Sequence, residues 1–298
     1  MEVDIREDSL RKRYVFKLGA QLIGLALSFI TAGLVPRTLG PALYGVYNYL
    51  VDFFDNIVRF FTLGASEAFY NKFSHRQNDI GLLIFYLVFS VLVGLFLIIF
   101  IFFLIFTSLD KFVLPNQPIK YILLALILGL FYIFNNNQIM DGLGLTVDSE
   151  KIQLGLRIFN TVILISLFFI NQLTLINLFI SLYAIYLINI IICWYLIIKK
   201  KILPFKRKKS LYSQKIATYF YEFYIYCYPL FFFKVFVFFS SIFERWFLQI
   251  IAGNAQQGFY SLSFRISQIY FLFTSSLTPL LMREFSIAYH NKDIKKMA

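Results

Sequence analysis

Acidic residues are scarce in this chain: 16 Asp and Glu stand against 28 Lys and Arg, for a formal net charge of +12. Histidine and cysteine are scarcer, at two each. Cys193 and Cys227 both lie inside apolar runs, so no disulfide framework or metal site is implied, and both read as packing residues. His75 and His290 stand singly in polar breaks and read as solvated. Long polar stretches are missing too. The chain is 59% hydrophobic and 20% aromatic, with a mean hydropathy of +0.72, beyond what a soluble domain of 298 residues requires.

The apolar residues come in blocks of about 20 or more, the pattern of a polytopic helical membrane protein. A transmembrane β-barrel would alternate with period two instead. Eight membrane helices are expected, at about 14–35, 44–71, 80–107, 119–140, 152–170, 175–198, 219–243 and 258–282. A tight external turn is expected over 36–43, and an external break over 244–257. No small-residue cleavage pattern follows Arg11, Lys12 and Arg13, so the first run reads as a retained helix rather than a signal peptide. The segment KKKILPFKRKKSLYSQK, 199–215, is the one plausible linker. It divides the chain into a six-helix lobe, 1–198, and the start of a second lobe, 216–298.

The placement of the positive charge sets the orientation. Arg6, Arg11 to Arg13, Lys72, Arg76, Lys151, the linker cations, Arg283, Lys292, Lys295 and Lys296 fall on one side. Only Arg37, Lys111, Lys120 and Arg245 fall on the other. By the positive-inside rule both termini and the linker are cytoplasmic, in a multi-pass protein of the cell membrane. The basic charge thus has a topological reading, with anionic lipid headgroups as a compatible contact. Nucleic acid is not an expected partner.

The second helix carries the chemistry. Asp52, Asp55, Arg59 and Thr62 form one stripe at helical spacing, while Phe53, Phe54, Ile57, Phe60 and Phe61 cover the rest. Insertion costs roughly 2.5 to 3.5 kcal/mol per central charge, against a return of about 0.3 to 0.6 kcal/mol per Leu, Ile, Val or Phe. An Asp55–Arg59 pair at i, i+4 lowers that cost without removing it. The stripe must therefore face protein or water. A charge cluster that merely joins helices is the bland reading, and a polar cavity used by a substrate is the functional one.

An internal repeat appears at the two helix turns. Gly40, Gly45 and Tyr47 match Gly253, Gly258 and Tyr260 at one offset of 213 residues, 253 less 40. Six helices separate equivalent points, an even number, so the two units are parallel repeats related by an axis along the membrane normal. The same offset sets Asp52 against Arg265, which predicts an ion pair across a central cleft. The second unit holds only the equivalents of helices one and two. A shortened chain is therefore expected, four helices short of a complete repeat.

The basic patch before an apolar helix, PRTLGPALYGVYNYL, and a second helix ending in LGASEAFYNKF resemble the start of the polysaccharide-repeat-unit flippases (Wzx type) of the multidrug/oligosaccharidyl-lipid/polysaccharide exporter superfamily. The stretch from Tyr228 to Ser286 is similar to that family's seventh and eighth helices, through Pro229, Glu244 with Arg245, Gly258 with Tyr260, and Pro279. The resemblance implies two lobes around a cleft lined by helices one, two, seven and eight. The cargo it implies is a polyprenyl-pyrophosphate-linked oligosaccharide, flipped from the cytoplasmic to the outer leaflet by alternating access. A pyrophosphate cannot cross hydrocarbon bare, so cations in a wet cleft are needed. Lys17, Arg59, Lys234 and Arg265 are the expected cations. Asp52 and Asp55 would orient neighbouring arginines or bind coupling protons or sodium ions. Lys17 also admits a snorkelling role at the interface, and Arg157 reads as structural or interfacial.

Other partners expected are membrane lipids and further polysaccharide-assembly membrane proteins. No cofactor is expected. Within the transporter class, a lipid II flippase and a multidrug extruder are alternatives; outside it, a non-transporting scaffold or inactive fragment is another. A membrane-embedded glycosyltransferase or acyltransferase would need acid, base or nucleophile groups gathered in a loop or cavity, and the external breaks are too short and too poor in carboxylates and histidines for that.

Overall fold

The computed structural model of the chain describes residues 10–76, 79–134, 137–199 and 216–267, with single helical positions at 278, 281, 282, 285 and 289. The linker beyond Lys199, Asn135, Asn136, Pro279, Arg283, His290 and the polar tail lie outside the described residues. So do the side chains of Arg11, Lys12, Arg13 and His75. Every described element is helical: α1 (Leu10–Thr62), α2 (Ala65–His75), α3 (Ile80–Phe106), α4 (Asp110–Val113), α5 (Ile119–Ile133), α6 (Asn137–Gly142), α7 (Thr146–Phe169), α8 (Leu175–Lys199) and α9 (Ile216–Ser267). Among the described residues six helical stretches are long and apolar enough to cross a membrane. The protein is an all-α polytopic membrane protein.

Two of those stretches are too long to be straight. At 1.5 Å per residue, the 53 residues of α1 would reach about 80 Å, against a hydrocarbon core of about 30 Å. Gly40 breaks α1, with φ 76° and ψ 164°, and Gly253 breaks the 52-residue α9, with φ 74° and ψ −172°. Both sit in a region of backbone space that residues with a Cβ avoid, so glycine is required at each. The limbs fold back on themselves. Lys17, early in α1, reaches Asp141 of α6 and Glu150 of α7. Gly142 of α6 packs on Phe73 of α2, the helix that follows the far end of α1. Both ends of α1 therefore lie at one end of the bundle, with Gly40 at the other. With two limbs each for α1 and α9, seven of the eight expected membrane segments are described along most of their length; of the eighth, expected over 258–282, residues 258–267 are helical and most of the rest lies outside the described residues.

The turns differ from expectation. Helix continues through 36–39 and resumes at Pro41, so the expected turn over 36–43 shrinks to Gly40 alone. Pro41 opens the second limb, where a helix has no use for its missing N–H. The expected break over 244–257 is likewise helical except at Gly253. Leu63 and Gly64, both at positive φ, interrupt the expected 44–71 helix.

Packing is built on aromatic and small residues, as expected where lipid removes the hydrophobic drive between helices. Around the second limb of α1, Tyr44, Leu50, Phe54, Leu97, Ala125 and Phe179 form one buried cluster, with Gly129 of α5 admitting Phe54 close to its backbone. A second cluster at the opposite end joins Phe69, Phe73, Leu82, Met140, Cys193 and Ile197. There Phe69 stacks on Tyr86 with ring centroids 4.2 Å apart. Cys193 and Cys227 are both free thiols, one buried and one half-buried. Asp79 caps α3 by accepting from the Leu82 N–H at 3.1 Å and also accepts from the Tyr219 hydroxyl at 2.7 Å. One carboxylate thereby starts α3 and docks the start of α9.

Candidate functional site

The α1 and α9 hairpins pack on each other along a seam, and the repeat is visible in its geometry. A Cβ on Gly45 would meet the Asn254 carbonyl oxygen at 1.7 Å, and one on Gly258 would meet the Pro41 carbonyl oxygen at 2.3 Å. Residues 41 and 254 differ by 213, as do 45 and 258. The contact is reciprocal, as a two-fold relation between the hairpins demands. Buried amides flank it. Asn254 Oδ1 accepts from Gln117 at 2.8 Å and from Gln249 at 2.7 Å, while the Trp246 indole donates to the Phe112 carbonyl at 2.8 Å. The α4 loop is thus pinned onto α9.

Deeper in the seam the polar groups are charged. Asp52 and Arg265 stand 12 residues past Gly40 and Gly253 respectively, about 18 Å along each helix. The ion pair expected between them is not formed. Asp52 pairs instead with Arg245, whose side chain is 12% exposed. Arg245 also donates to Ser261 Oγ at 2.8 Å and to Gln257 Oε1 at 3.3 Å. Its guanidinium carbon lies 4.4 Å from the Tyr260 ring centroid. The physical reason is the extension of α9 as helix past residue 243, which carries Arg245 from the expected external break into the seam. Arg265 turns to Asn48, donating at 3.4 Å, with the Tyr44 ring at 5.9 Å.

The other expected cations are spent on carboxylates. Lys17, 8% exposed, lies 3.3 Å from Glu150 and 3.8 Å from Asp141, a buried junction of α1, α6 and α7 rather than a snorkelling position. Lys234 pairs with Glu67 of α2, and Glu222 nearer the start of α9 pairs with Arg76. Arg59 forms the expected i, i+4 pair with Asp55 at 2.9 Å, with its side chain 72% exposed. Arg157 lies against α1, its Nη1 where a Cβ on Gly24 would stand, in keeping with a structural role. Among the expected cations, Arg265 is the one with no carboxylate partner among the described residues.

Sequence reading missed Arg245 as a seam residue and missed the acids Glu67, Asp141 and Glu150 as partners. One signal was present for the first. Arg245, Gln249, Gly253 and Gln257 recur every four residues, a helical stripe rather than a loop composition. Nothing in local sequence marks the acids, whose partners lie on other helices.

Length and topology define a multi-pass helical membrane protein. A family model described as polysaccharide biosynthesis protein matches residues 10–283, and the chain belongs to that family, the family of the Wzx-type flippases. No curated protein sequence matches. Among solved structures, a chain described as protein A superposes with a TM-score of 0.70 at 13% identity, over 97% of this chain and 67% of its own. At that identity the likeness speaks for the fold alone.

Proposed function

We propose that the protein flips a polyprenyl-pyrophosphate-linked oligosaccharide from the cytoplasmic to the outer leaflet of the cell membrane, opening the seam alternately to either side and making no covalent change. Its termini face the cytoplasm on this reading. Family membership supports the pathway. The observation that carries the cargo is Arg265: a cation about 18 Å into a membrane helix that pairs with no carboxylate among the described residues. A pyrophosphate would complete it with charge-assisted hydrogen bonds, and Asn48 and Tyr44 would orient the guanidinium. Arg59, exposed on the same seam, would meet the cargo's charge at the entrance. Lys17 and Lys234 serve the fold instead, their charges already matched. Proton or sodium coupling would fall to Asp55 and Asp52, and the polyprenyl tail would stay in lipid beside other polysaccharide-assembly proteins.

The test is transport of a fluorescent polyprenyl-pyrophosphoryl sugar in proteoliposomes. Arg265→Gln is expected to lower the rate on the order of tenfold or more, the loss of one charged hydrogen-bonding contact, with the thermal transition retained. An unaltered rate overturns the reading.

A further inference from the structure

The seam holds two arginines within reach of one aspartate, and only one of them takes it. Asp52 is bonded to Arg245, while the field of Arg265 also falls on it. Arg265 contacts Asn48, which precedes Asp52 by four residues and so shares its helical face. A shift of Arg265 by about one helical turn along that face would bring it to the Asp52 carboxylate. What prevents the shift is competition. Arg245 is locked by Ser261 and Gln257 and lies over Tyr260, so it meets Asp52 already oriented and with little side-chain entropy left to lose.

We propose that Arg245 is a positioning residue for anion recognition: by occupying Asp52 it keeps Arg265 uncompensated and available to the pyrophosphate. The charges in this part of the seam then sort into a matched pair, Asp52 with Arg245, and a free cation. Without Arg245 the carboxylate would turn to Arg265, and the seam would be electrically complete with no ligand bound. The inference rests on the anion role given to Arg265 above, and the variants separate the two.

The experiment is binding of farnesyl pyrophosphate to the purified full chain in nanodiscs. Arg265→Gln is expected to weaken binding on the order of tenfold. Arg245→Gln should weaken it comparably, although Arg245 need not touch the probe. Adding Asp52→Asn to Arg245→Gln should restore binding to within about threefold of the original protein, because the acid that would quench Arg265 is gone. A purely architectural role for Arg245 predicts no such rescue, so a double variant as weak as the single one overturns the inference. Should Arg245→Gln fail to fold, Asp52→Asn alone decides: it frees a second cation and should tighten binding, and weaker binding overturns the inference. If Arg265→Gln binds unchanged, the anion reading itself fails. If Arg265→Gln weakens binding and Arg245→Gln does not, only the positioning role fails.

Discussion

Gly45 and Gly258 lie backbone to backbone at the crossing of the two hairpins, each facing a carbonyl of the other's repeat. No side chain separates the helices at that point. An alanine at either position has no room, and overpacking of this kind costs about 1 to 3 kcal/mol. Gly45→Ala and Gly258→Ala should each lower the thermal transition in detergent. Gly19→Ala and Gly33→Ala, with nothing within 4 Å of a new Cβ, should not.

Gly40 and Gly253 present the opposite case. A Cβ there meets nothing within 4 Å, but the positive φ is strained for any other residue. Alanine at either turn should cost about 1 to 3 kcal/mol through the backbone alone. Measured unfolding free energies should show the two turns to be equivalent, and loss at one turn only would argue against their repeat relation.

The ion pairs joining α9 to α2 and its C-cap run with opposite sense, Lys234 to Glu67 and Glu222 to Arg76. Charge reversal at Glu67 or Lys234 alone should destabilise the protein by about 1 to 3 kcal/mol. The double reversal Glu67→Lys with Lys234→Glu should recover most of that loss. A double variant no better than its singles would mean that the contact carries no coupling energy.

Lys17→Met leaves Glu150 and Asp141 without their lysine, and removing one member of a buried pair costs about 3 to 5 kcal/mol. Adding Glu150→Gln should return part of it. Arg59→Ala, by contrast, breaks an exposed pair within one helix and should change stability by no more than about 0.5 kcal/mol. Thermal unfolding of the three variants side by side orders these effects.

The membrane helices were legible because hydropathy is a local property that a window of residues carries in itself. The repeat was legible for a related reason: Gly40 and Gly253 each answer to a backbone geometry that only glycine meets. The expected turns were too wide because Pro36, Arg37 and Thr38, like Glu244 and Arg245, have the composition of loops yet remain helical, with Arg37, Thr38 and Glu244 exposed and Arg245 drawn into the seam. The ion partners were not legible at all. Glu67 and Lys234 are separated by 167 residues, and Arg76 and Glu222 by 146. Which acid meets which base is decided by how helices pack, and Asp52 took Arg245 over Arg265 because a longer helix delivered it.

The bare crossing at Gly45 and Gly258 has a mechanical consequence. Where backbone meets backbone there is no layer of side chains to compress, so the peptide groups themselves set the spacing of the two hairpins near their turns. Farther along, Asp52 meets Arg245 and Asn48 meets Arg265 through side chains with several rotatable bonds. The hairpins are thus held at a fixed spacing near the turns and joined adjustably in depth.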